Sequence, residues 1–160
     1  MALEQIGYKG PEGSIQYGIH RQVISGLAGG TTARQLLASE AGALCLFDNA
    51  AGQIYTLPAP VVGMEFHFLV TVDVTSNAYS LDTDAATTFL MGGIIMGDVT
   101  VATSGDYFEA DGTSTVSCDA EGSTTGGLLG GEYRVICISS TQWGISGVMH
   151  GAGTLATPFA

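Results

Sequence analysis

Between Met64 and Val72 the chain alternates without a break: Met64, Phe66, Phe68, Val70 and Val72 fall on one side, and Glu65, His67, Leu69 and Thr71 on the other. A period of two predicts an extended strand with one face against a core and the other toward water. Shorter apolar runs bounded by turn residues predict further strands at 19–25 (IHRQVIS), 43–47 (ALCLF), 53–57 (QIYTL), 78–83 (AYSLDT) and 89–101 (FLMGGIIMGDVTV). The same reading places strands at 107–110 (YFEA), 114–118 (STVSC), 132–139 (EYRVICIS) and 143–148 (WGISGV), the last two forming a closing hairpin.

The punctuation between these runs completes the outline. DNAAG, between the second and third runs, suits a tight reversal. Pro58 and Pro60 lack an amide proton, so the chain must leave the sheet there. TTARQLLASEAG (31–42) is the one stretch with helical propensity, with Thr32 as a cap and Gly42 as a stop, for about two turns at most. EGSTTGGLLGG (121–131) reads as a loop. Residues 1–18, with Gly7, Gly10, Pro11, Gly13 and Gly18 among isolated apolar anchors, read as an extended N-terminal arm, and 19–160 as a single domain. About nine or ten short strands with glycine-rich turns give an all-β fold, a β-sandwich, jelly roll or barrel. No fixed-period repeat is visible, which argues against a propeller or solenoid.

Composition sharpens this picture. Apolar residues make up 46 % of the 160 positions and charged residues only 12 %, about half the usual share. A surface built from Gly, Ser, Thr, Ala and Asn suits a protein that is covered by partners. The formal charge of −11, from 15 acidic and 4 basic residues, repels phosphate backbones and anionic bilayers, so neither nucleic acid nor membrane is expected as a partner. Cys45, Cys118 and Cys137 are an odd set without C-x-x-C spacing, which predicts buried free thiols and a reducing cytoplasm as the place of synthesis. No signal segment or span-length apolar run occurs in the sequence.

Candidate chemistry is sparse. His20, His67 and His150 are isolated, no G-x-S-x-G elbow occurs, and GGLLGG precedes a strand where a phosphate cradle needs a helix. These absences predict no catalytic residue, no cofactor and no metal. Asp82 and Asp84, and Asp106, Glu109 and Asp111, are paired carboxylates of the kind used in calcium loops or glycoside hydrolysis, but the spacing of the twelve-residue calcium loop is missing. Trp143 alternates with Ile145 and reads as a core anchor.

Two blocks carry a resemblance. SEAGALCLFDNAAGQIYTLPAPVVGMEFHFLVT contains Ser39 to Gly42, a Thr-Leu-Pro-x-Pro-x-x-Gly turn from Thr56 to Gly63, and an aromatic strand from Phe66 to Val70. GGEYRVICISSTQWGISGVMHGAGTLATPFA contains Gly131-Glu132 and the Trp-x-x-x-Gly strand from Trp143 to Gly147. In this order the blocks, within 39–160, resemble small all-β virion proteins of tailed bacteriophages, most of all capsid decoration (cement) proteins. That resemblance implies a β-sandwich or tulip-like domain, a homotrimer, and a place on the outer surface of the capsid against the major capsid protein. The arm then becomes the candidate anchor into the shell, through Leu3, Ile6, Tyr8, Ile15 and Tyr17. The rival expectation is a fibre or receptor-binding module that reads host glycans through loops at 75–90 and 103–113.

Overall fold

The computed structural model describes residues 7–9, 15–17, 21–25, 32–101 and 104–160. Gly7–Lys9 (β1) and Ile15–Tyr17 (β2) pair as a two-stranded antiparallel ribbon. The remaining strands form two mixed sheets. The seven-stranded sheet contains Val23–Ile24 (β3), Leu44–Phe47 (β5), Glu65–Val70 (β7), Phe89–Asp98 (β9), Gly105–Asp111 (β10), Glu132–Ser139 (β12) and Gln142–Gly151 (β13), in the order β10-β9-β13-β12-β7-β5-β3. The four-stranded sheet contains Thr32–Gln35 (β4), Gln53–Thr56 (β6), Tyr79–Asp82 (β8) and Ser117–Ala120 (β11), in the order β11-β8-β6-β4. The fold is all-β, as the alternation predicts.

The two sheets share one core. Phe66, Phe68 and Val70 of β7 are buried while Glu65, His67 and Leu69 face outward. The strand stops at Val70, however, and Val72 is 38 % exposed instead of joining the buried side. Phe47 sits at the centre of an aromatic cluster. Its ring lies 5.3 Å from Tyr55 and 4.8 Å from Tyr79 across the gap between sheets, and 5.9 Å from Phe68 within its own. Such offset and edge-on pairs each add about 0.5–1.5 kcal/mol beyond the area they bury. Gln53 joins the sheets through polar contacts: its Nε2 donates to Leu46 O (3.0 Å) and its Oε1 accepts from Asp48 N (3.1 Å). Trp143 is fully buried against Phe66, in the anchoring position its alternation predicts. Cys45, Cys118 and Cys137 are buried free thiols, and burial pushes Cys45 up to about 12, beyond the range where a thiolate forms.

The path of the chain differs from a series of hairpins. From β3 to β9 each strand lies in the sheet opposite its predecessor, so β3, β5 and β7 run parallel, as do β4, β6 and β8. Parallel neighbours require a crossover, commonly a helix; here each crossover is a strand of the other sheet. The reversal at DNAAG serves this traffic. Asn49 O accepts from Gly52 N (3.0 Å), Asn49 Oδ1 accepts from Ala51 N (3.1 Å), and Gly52 takes φ 104°. The turn thus carries β5 into the opposite sheet rather than back alongside itself.

The helix expected over 31–42 is not formed. Thr32–Gln35 is a strand paired in parallel with β6, and only a 3-10 turn, Ala38–Glu40, follows. Two helical turns are too few to be stable alone, whereas the strand gains a full ladder and buries Leu36, whose N–H donates to Thr56 O (2.8 Å). Arg34 and Glu40 form an ion pair, and Glu40 Oε2 accepts from Leu37 N (2.9 Å), which fixes the turn. The end of the chain covers the β11 edge: Asp119 N donates to Pro158 O (2.7 Å) and Val116 N to Ala160 O (2.7 Å).

Candidate interaction surface

The outer face of the seven-stranded sheet follows from its register. Cross-strand partners form three rows: Tyr107, Ile95, Val148, Glu132 and Leu69; then Glu109, Gly93, Ser146, Arg134 and His67; then Asp111, Met91, Gly144, Ile136 and Glu65. The residues between them in each strand, such as Leu90, Ile94, Met96, Trp143, Ile145 and Val135, point into the core. The result is an apolar stripe on the solvent side, with Tyr107 62 %, Ile95 56 %, Val148 43 % and Met91 40 % exposed. Contiguous exposed apolar side chains on a sheet face mark an interaction surface more often than scattered ones do.

Glycine shapes this face. A Cβ at Gly93 would lie 2.3 Å from Tyr107 Oη, so the tyrosine ring lies across the glycine of the neighbouring strand. This is the covering of a strand glycine by a cross-strand aromatic. Gly144, in the third row, stands without a side chain between Met91 and Ile136, whose Cγ2 a Cβ there would meet at 3.4 Å. Charge is concentrated here too. Arg134 Nη1 lies 3.8 Å from Glu65 Oε1, Arg21 donates to His67 Nδ1 (3.1 Å), and His67 Nε2 is 3.7 Å from Glu132 Oε2. Two of the chain's four basic residues thus sit on one face of a protein whose formal charge is −11.

The carboxylates singled out by spacing do not converge on one site. Asp82 lies on β8, on the outer face of the smaller sheet, where Ser80 Oγ donates to Asp82 Oδ1 (2.5 Å) or to Asp119 Oδ1. Asp84 accepts from Thr88 Oγ1 (2.8 Å) beside a shallow depression of about 460 Å³ shared with Asp82, Val116 and Ser117. Asp106 and Glu109 are exposed on the β10 edge of the other sheet. Among the described residues no group of three or more His, Cys, Asp or Glu side chains is arranged to hold a metal. Of the arm residues, Leu3 and Ile6 lie outside the described residues, while Tyr8, Ile15 and Tyr17 fall within β1 and β2. His20 also lies outside, and His150 Nδ1 contacts Leu129 O at 2.9 Å.

Asp111 has a local task. Its Oδ1 accepts from Thr113 N, Ser114 N (both 2.8 Å) and Thr115 N (3.1 Å), and its Oδ2 from Ser114 Oγ (2.6 Å). These bonds hold its pKa well below the ordinary 3.8, with the Ser114 hydroxyl the largest cause. The Thr100 hydroxyl and amide lower Asp98, and the Thr124 and Ser123 hydroxyls lower Glu121, in the same way. A carboxylate depressed in the folded state contributes stability above its unfolded pKa and loses it as pH falls, because the unfolded chain then binds more protons. The urea midpoint is therefore expected to drop between about pH 5 and pH 2. Changing Asp98 and Asp111 to Asn and Glu121 to Gln should flatten that drop; an equal acid loss in the triple variant would show that other groups control it.

Sequence reasoning reached Glu109 through its neighbours but passed over Arg134. The available signal was scarcity: few basic residues occur, and this one alternates with Tyr133 and Val135, both buried. No model of a known protein family matches the chain, and no curated protein matches it either.

Proposed function

We propose that the chain is a bacteriophage capsid decoration (cement) protein, a β-sandwich that binds the outside of the head shell as an oligomer and stabilises it without catalysis. The observation that carries this reading is the outer face of the seven-stranded sheet, where Tyr107, Ile95, Val148 and Met91 stand exposed on a body with few charges. Such a surface gains by being covered by another copy, which leaves segment 1–18 to meet the shell, and many weak copies of that contact add up across a lattice. The parallel pairs within both sheets favour a wound sandwich over an all-antiparallel jelly roll. The partner is the major capsid protein, and segment 1–18, with Leu3, Ile6, Tyr8, Ile15 and Tyr17, is the anchor. The protein is made in the host cytoplasm and resides on the virion.

Co-sedimentation of the purified full chain with undecorated heads tests this. Saturable binding, and a higher temperature of head disruption, are expected; a chain that neither binds heads nor protects them overturns the reading. A variant lacking 1–18 that binds at wild-type occupancy removes the arm as anchor. A fibre module that reads host glycans is favoured by one feature, the exposed Tyr107 beside the carboxylates Asp106 and Glu109 on an open sheet edge. Binding to a glycan array without binding to heads would decide for it.

A further inference from the structure

We propose that the outer face of the seven-stranded sheet docks a second copy of this chain face to face, about a twofold axis running along the strands between β9 and β13. Such an axis exchanges β9 with β13 and β10 with β12 while preserving height along the strands. The register then dictates what meets. Glu109 lies in one row with Gly93, Ser146 and Arg134, so Glu109 of one copy faces Arg134 of the other, and the pair occurs twice. Ile95 and Val148 share a row, so each meets the other across the axis. Met91 and Gly144 share the third, so a long side chain faces a position without one.

One charge pair, occurring twice, favours this occupant. Two chains of formal charge −11 repel through most of their surface. The outward rows carry Glu65, Glu132 and Asp111 beside Arg134, so the two Glu109–Arg134 contacts act against that repulsion, and Glu109 has no ion-pair partner among the described residues. Facing sheets pack about 10 Å apart, a gap that an extended Glu and an extended Arg span together. Four strands, of which β9 and β13 have 10 residues each, present a footprint on the order of 600 Å². That is somewhat below the roughly 800 Å² per partner of a standard interface, so the pairing is reversible and in the micromolar range.

Sedimentation equilibrium of the full chain from about 1 μM to about 1 mM tests the proposal. A monomer–dimer equilibrium is expected. Glu109→Arg and Arg134→Glu should each weaken it at least about tenfold, and the double reversal should restore it. Both positions are exposed, and far-ultraviolet circular dichroism and the melting temperature verify the fold. Ile95→Asp supplies a second disruption independent of the charge pair. A wild-type chain that stays monomeric to about 1 mM, a trimer without a dimer, or a double reversal that fails to recover association overturns the proposal. Head binding by a monomer would sink the dimer and leave decoration standing; dimers that ignore heads would do the reverse.

Discussion

Replacing Phe47 with alanine is expected to lower the free energy of unfolding by about 4 kcal/mol, the upper part of the range for removing a buried phenylalanine. Phe47 is fully buried, and its ring touches Tyr55 and Tyr79 in one sheet and Phe68 and Tyr133 nearer its own. Deleting it removes the transfer energy of the ring and opens a hole between sheets that strand ladders on both sides prevent from closing. Urea unfolding followed by tyrosine and tryptophan fluorescence would measure the loss. Phe47→Leu should recover about half of it by keeping most of the volume. A Phe47→Ala loss below about 1 kcal/mol would show that the sheets are not held together at this point.

Gly92→Ala is the second large effect, expected at about 3 kcal/mol from backbone strain and overpacking together. Gly92 has φ 126°, and a Cβ there would stand 2.3 Å from Ile145 O on the adjacent strand. Neither neighbour can yield, because β9 and β13 are paired along ten residues each. Gly97, in the same strand, meets nothing within 4 Å. Gly97→Ala is therefore the matched control, expected to change stability by no more than about 0.5 kcal/mol. Equal melting temperatures for the two variants would refute the steric argument.

How far the sequence foretold this molecule depends on the range of the interaction. Each of the strands expected from local pattern has a counterpart, because alternation such as Phe66-His67-Phe68 records directly which side of a ribbon is dry. The strands not expected are β1 and β2, within the segment read as an arm, and Thr32–Gln35, where a weak local preference for helix lost to a ladder with β6 and the burial of Leu36. Partner choice was legible only for the closing hairpin of β12 with β13. Leu44 pairs with His67 and Gln53 with Tyr79, at separations set by crossings through the opposite sheet that no short window contains. The surface was half legible for the same reason. MGGIIMGD reads as an apolar strand, but the division into inward Ile94 and Met96 and outward Met91 and Ile95 requires knowing where the core lies. Arg134 and Glu109 come into one row only through the intervening strands β9 and β13.

The shuttling of the chain between sheets has a mechanical consequence. A cut in the exposed Val61-Val62 turn would give two fragments, each owning strands of both layers and each hydrogen-bonded to the other through β5 with β7 and through β6 with β8. The halves are laced together like the two sides of a shoe, so a single nick releases neither. Peeling them apart requires opening both layers at once, which makes the scissile turn a harmless place for a protease to strike.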